Sequence, residues 1–140
     1  MPKILFFSLA FALLAACSPK PEPIEFGKDQ CAFCRMTISD PKFGAELVTP
    51  KGRVLKYDAL ECMIDDLDEK QHEYAMLLAV PFDQPKELVD VESLHFVYSP
   101  MIKSPMGANL GAFASRDNIP ESERKNAVDW NRTVDLRLNN

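Results

Sequence analysis

Lysine and arginine gather nowhere along this chain, and the 16 present are outnumbered by 21 aspartates and glutamates, for a formal charge of −5. An acidic chain without a basic cluster has no electrostatic basis for gripping nucleic acid or an anionic lipid surface. Past residue 17 no apolar run is long enough to cross a bilayer. No Ser/His/Asp arrangement, phosphate-cradling glycine loop or convincing pair of catalytic carboxylates is present, so the chain does not read as an enzyme. Histidine is limited to His72 and His95, each more easily read as a surface or packed residue than as a ligand. The four cysteines are Cys17, Cys31, Cys34 and Cys62, too few for a disulfide scaffold. A second C-x-x-C is missing, which weakens the case for a four-ligand zinc site; only Cys62, His72 and His95 remain to complete one.

What the chain does carry begins at its start. Lys3 supplies a short positive segment, Ile4 to Ala16 is almost unbroken apolar sequence, and Leu14-Ala15-Ala16-Cys17 ends it with small residues before a cysteine. This run is too short to span a membrane and has the layout of a cleaved export signal. Its cysteine resembles that of a bacterial lipobox. The expectation is a signal at 1–16, cleavage before Cys17 and acylation of that residue, giving a membrane lipoprotein that faces the periplasm. Ser18 points to the outer membrane. The mature chain would keep 124 of the 140 residues, enough for one domain with one core. With Cys17 acylated, three cysteines remain, so at least one thiol is unpaired in an oxidising compartment.

Ser18-Pro19-Lys20-Pro21-Glu22-Pro23 alternates proline with polar residues. It predicts an extended tether over 17–28, rising about 3.1 Å per residue, ahead of a single domain at 29–140. Phe26 to Pro41 lacks periodicity and reads as a loop. Phe43 to Thr49 and Arg53 to Tyr57 read as strands around a Pro50-Lys51-Gly52 turn. Asp58 is placed to cap a helix running to about Glu69, with Leu60, Met63, Ile64 and Leu67 as its apolar stripe. Tyr74 to Phe82 reads as a central strand. Leu94 to Tyr98 and Leu110 to Ser115 come next as strands, Asn118-Ile119-Pro120 opens a polar helix toward Val128, and Thr133 to Leu138 alternates as a last strand. The order predicts an α+β domain of two ββαβ units with mainly antiparallel sheets.

Sulfur stands out against this frame. Cys31, Cys34 and Met36 put three soft atoms within six residues of an aperiodic stretch. Two thiols at C-x-x-C spacing turn to one side and grip one ion, and a thioether two residues later can reach the same point. Thiolate and thioether donors favour Cu(I) over harder divalent ions. Competing readings are a local disulfide, half of a zinc site, or a redox-active dithiol. The last needs a preceding strand and a following helix, whereas here a proline tether precedes the motif and Ser39-Asp40-Pro41 interrupts any helix after it. Ser99-Pro100-Met101 and Ser104-Pro105-Met106 place two more thioethers in a turn-like stretch, where they are presented rather than buried. Cys62 points away from the apolar stripe of its helix, toward Glu61, Asp65 and Glu69, and is not counted as a ligand.

Cys34-Arg35-Met36 near the mature N-terminus, with Ser104-Pro105-Met106-Gly107 ahead of a strand ending Gly111-Ala112-Phe113-Ala114, resembles the NosL family, accessory lipoproteins of nitrous oxide reductase. The resemblance runs from the lipobox to about Ser115. It implies a fold similar to organomercurial lyase, built of ββαβ units. It also implies binding of Cu(I) in the periplasm and its passage, through a membrane transporter assembly, toward the copper centres of nitrous oxide reductase. Cys34 and Met36 match the family's cysteine-x-methionine, and Met106 its Pro-Met-Gly methionine. The family usually has glycine where Arg35 stands, and Cys31 is not a uniform family feature. The expected ligand set is Cys34 and Met36, completed by Cys31 or Met106, and the rival function is a C-x-x-C thiol-disulfide oxidoreductase.

Overall fold

A computed structural model describes residues 18–140; the expected signal and Cys17 lie outside the described residues. β1 (Ala45–Val48) and β2 (Val54–Tyr57) form the expected hairpin. Its turn closes through Thr49 N–H to the Arg53 carbonyl at 2.8 Å, with Gly52 at a φ of 84° that side chains disfavour. α1 (Leu60–Lys70) is next, and β3 (Met76–Ala79) returns to pair antiparallel with β1. A two-residue β4 (Val89–Asp90) completes a four-stranded sheet in the order β2-β1-β3-β4. The first half is therefore ββαβ, as its periodicity predicts.

In the second half β5 (His95–Tyr98) and β6 (Leu110–Phe113) pair antiparallel in a separate sheet. A short α2 (Glu121–Arg124) comes after them, and Val128 then makes a single antiparallel bridge back to Phe96 in β5. The order of the first half recurs, with its third strand reduced to one residue. The last strand expected over Thr133 to Leu138 is instead part of a helix, α3 (Trp130–Leu138). Alternation of Val134, Leu136 and Leu138 imitates a strand. However, the Asp129 carboxylate accepts from the Arg132 N–H as an N-cap, and Trp130, Thr133, Val134 and Arg137 share one face at helical spacing.

The main core lies between the four-stranded sheet and α1. Ala45, Leu47, Leu55, Tyr57, Leu77 and Ala79 meet Leu60, Met63 and Ile64, and Phe96, Leu110 and Trp130 close the far side. Each large side chain buried there contributes about 1.5–3 kcal/mol. α3 is fixed to α1 by a two-pronged ion pair, Arg137 Nε and Nη2 to the Asp65 carboxylate at 2.8 and 2.6 Å.

The segment expected as a free tether over 17–28 is laid partly on the domain. Ile24 and Phe26 pack against the core, the Glu22 N–H donates to Glu46 at 2.9 Å, and Lys56 donates to the Pro23 carbonyl at 2.9 Å. Apolar residues at 24 and 26 have sheet to cover, so the folded unit starts upstream of residue 29. No helix among the described residues is long and apolar enough to cross a membrane.

Candidate metal centre

Residues 30–37 form a closed turn held to the edge of the sheet. Gln30 bridges Thr37, the Cys31 N–H donates to the Met36 carbonyl at 2.8 Å, and the Arg35 N–H donates back to the Cys31 carbonyl at 3.1 Å. The Ala32 N–H reaches the Lys56 carbonyl of β2 at 2.8 Å, and Lys56 Nζ pairs with Asp29 at 2.8 Å. Both cysteines of the motif thus sit on a short loop whose ends and middle are tied down. Arg35 lies at its apex with a φ of 66°, a left-handed conformation that glycine adopts without strain. That is a backbone reason for glycine at this position in the family this motif resembles.

The turn faces the first turn of α1, where Cys62 stands. The thiol sulfurs of Cys31, Cys34 and Cys62 all lie within 4.8 Å of one another. Cys62, not counted as a ligand from the sequence, is therefore the third member of the cluster. A helical wheel assigns one buried face to α1, but its first turn is covered on every side: Leu60, Glu61, Cys62, Met63 and Ile64 are all buried. The sheet covers one flank and the cysteine loop covers another. The only sequence signal for this was that Cys62 is itself a poorly solvated side chain placed among charges.

Hydrogen bonding divides the three thiols. The Cys62 thiol donates to the Cys31 sulfur, and backbone N–H groups of Asp58, Cys34 and Phe33 point at it as well, holding Cys31 well below the ordinary thiol range against the upward push of burial. Cys62 is pushed up, first by that hydrogen bond and then by burial. Burial also raises Cys34, and the charge on Cys31 adds to it. A thiol shifted down beside two shifted up makes a graded donor set whose members lose their protons as an ion enters. All three cysteines are unbridged, so the local disulfide is not the state observed.

The redox reading fits this geometry poorly. A reactive dithiol needs its low-pKa cysteine exposed at a helix N-terminus. Here the low-pKa member, Cys31, is fully buried in a turn, and half-buried Cys34 is shifted upward. The zinc reading gains Cys62 but no fourth ligand from histidine. His72 lies past the far end of α1, with Nε2 3.0 Å from Asp66, which also accepts from Tyr57 at 2.7 Å. His95 sits on β5, outside the cluster. Metal–sulfur bonds of about 2.3 Å place two thiolates on one ion about 4.0–4.6 Å apart in trigonal or linear arrangements. The observed cluster accommodates such an ion.

Asp58 does not cap α1. Ala59 holds the N-cap position without a side-chain bond, while the Asp58 carboxylate is buried beside the cluster, accepts from the Ser39 N–H and is pushed up by burial and by the charge of Cys31. The methionines divide by location. Met63 in α1 is buried and Met76 in β3 half-buried, whereas Met36, Met101 and Met106 in the loops are 54%, 69% and 43% exposed. The loop carrying Met106 is fastened to α1 next to Cys62: Ser104 Oγ donates to Glu61 at 2.5 Å, and Ala108, on the other side of Met106, packs against the core that contains Cys31 and Cys62.

The fold and its thiol cluster define a class: a small antiparallel α+β domain with a candidate soft-metal centre where a loop meets a helix N-terminus. That architecture is NosL-like. It is similar to the crystal structure of the copper chaperone NosL from Shewanella denitrificans, with a TM-score of 0.68 over 80% of this chain and 93% of that one. Sequence identity is 15%, so the likeness is one of fold. No protein-family profile and no curated protein matches the sequence.

Proposed function

We propose that the chain is a Cu(I)-carrying chaperone, anchored to the outer membrane through acylated Cys17 and facing the periplasm, that passes copper toward the centres of nitrous oxide reductase by way of a membrane transporter assembly. The observation that carries this reading is the convergence of three thiol sulfurs within 4.8 Å, in a fold shared with a copper chaperone. Soft donors without a histidine among them suit a monovalent, closed-shell ion. Two or three sulfurs hold the ion at a time, chiefly Cys34 and Met36, with Cys31 or Met106 completing the shell; Cys62 joins the candidate donors through the cluster. Cys34 and Met36 lie at the exposed edge and Cys31 and Cys62 beneath them. An acceptor's ligand therefore meets the outer donors first, and copper passes through a shared intermediate without release. The anchor keeps the domain near a membrane-bound partner and raises its effective concentration there.

Titration of reduced protein with Cu(I) against a chelator should show one tight equivalent. Cys34→Ser and Cys62→Ser should each weaken it by at least about tenfold, the size of effect expected when a soft donor is replaced by a hard one. Met36→Leu should weaken it as well. Disulfide-reductase or isomerase activity that survives Met36→Leu, together with unchanged copper affinity in Cys34→Ser, would overturn the assignment in favour of a thiol oxidoreductase. Deletion of the gene should leave nitrous oxide reductase short of copper.

A further inference from the structure

Glu61 is 1% exposed and adjoins Cys62 in the first turn of α1. Its Oε1 accepts from Ser104 Oγ at 2.5 Å and from the Ala108 N–H at 3.4 Å. Ser104 Oγ in turn accepts from the Asn109 N–H at 2.9 Å. Both flanks of Met106-Gly107 are therefore tied to one carboxylate oxygen. The loop between them is tightly folded, with Gly107 and Asn109 at φ of 79° and 59°. The other oxygen, Oε2, is buried without a partner.

Burying a carboxylate with one oxygen unsatisfied is unfavourable, and a well-packed apolar residue would serve stability better. What the carboxylate adds is direction. It joins the methionine loop to the helical turn that presents Cys62, so the thioether's position is set against the same backbone as the third thiol. Partners of this kind, one step removed from the ion, fix donor geometry and are costly to lose.

We infer that Glu61 is a positioning residue that holds the Met106 loop against the helical turn presenting Cys62, acting through Ser104 and Ala108 without touching the ion. This rests on Met106 serving as a copper donor. The test is a double-mutant cycle on the full mature protein, with Cu(I) affinity read by chelator competition and sulfur donors counted by X-ray absorption. Met106→Leu and Glu61→Ala should each weaken binding by about tenfold and each remove one sulfur. The double variant should be no worse than either single one. Glu61→Gln, whose amide oxygen accepts the same two bonds, should restore wild-type binding. Ser104→Ala cuts the same link without altering α1, and should reproduce Glu61→Ala if that variant folds poorly. Should Met106→Leu weaken binding while the losses multiply in the double variant, Met106 is a donor but Glu61 does not place it. Should Met106→Leu leave affinity unchanged, the donor assignment fails and takes the inference with it.

Discussion

Arg35 holds a φ of 66° between Cys34 and Met36, and the turn that brings these two residues into place depends on that conformation. Left-handed backbone costs a residue with a Cβ about 1–2 kcal/mol, and most where the side chain is β-branched. Arg35 already carries most of that cost, so Arg35→Val should lower stability by only the β-branched excess, under about 1 kcal/mol in urea titration, and weaken Cu(I) binding as the turn loosens. Arg35→Gly should preserve both. If the valine variant binds copper as tightly as wild type, the turn is not what organises the donors. At this scale the sequence was legible in part. Cys31 and Cys34 announced themselves by spacing. Cys62 did not, because a wheel drawn for one helix carries no information about a loop that packs on its other side.

Elements are held as much by local caps as by the core, and α3 shows why that matters for reading a sequence. Its side chains alternate well enough to suggest a strand, yet Asp129 satisfies the free N–H of Arg132 at 2.9 Å and starts a helix instead. Asp129→Ala should cost about 1 kcal/mol in chemical denaturation, Asp129→Asn should cost little, and neither should change copper affinity. Equal stability of the alanine variant would argue against the cap. The sequence disclosed β1, β2, α1, β3, β5 and β6 as apolar runs bounded by turn residues; β2 alternates in burial as a half-covered strand does, whereas β1 is buried at every position. Strand closure in the second half escaped notice because a single bridge at Val128 leaves no period to read.

Across the whole molecule, the N-terminal segment and the sheet share a buried titratable group. Glu46, in the interior strand β1, is fully buried and accepts from the Glu22 N–H; burial raises its pKa from 4.5 to about 7. Its ionised form is thus disfavoured in the folded state. Between about pH 4.5 and 7 the folded protein binds more protons than the unfolded chain, so this group's contribution is complete at low pH and is lost as pH rises through about 7. The expected result is that the stability difference between wild type and Glu46→Gln shifts against wild type as pH rises across that window, measured by thermal melts at matched ionic strength. A difference that stays flat from pH 5 to about 7.5 would mean that Glu46 does not titrate there. Cys31, held low in the folded state, pushes in the opposite direction, so the comparison must be between the two variants and not the wild-type profile alone.

Periodicity, turn residues and donor chemistry were enough, without coordinates, to specify an antiparallel α+β chain with a soft-metal motif near its N-terminus, since each is a property of neighbours along the backbone. Which sulfurs meet was decided only by folding. The loop at 30–37 and the first turn of α1 are separated by two strands in sequence, and they come together because the β1–β2 hairpin carries one back onto the other. Cys62 acquires its partners from that closure, and Glu61 gains its hold on the Met106 loop where the β5–β6 connection packs against α1. Contacts between distant segments depend on packing in three dimensions, which no local pattern encodes.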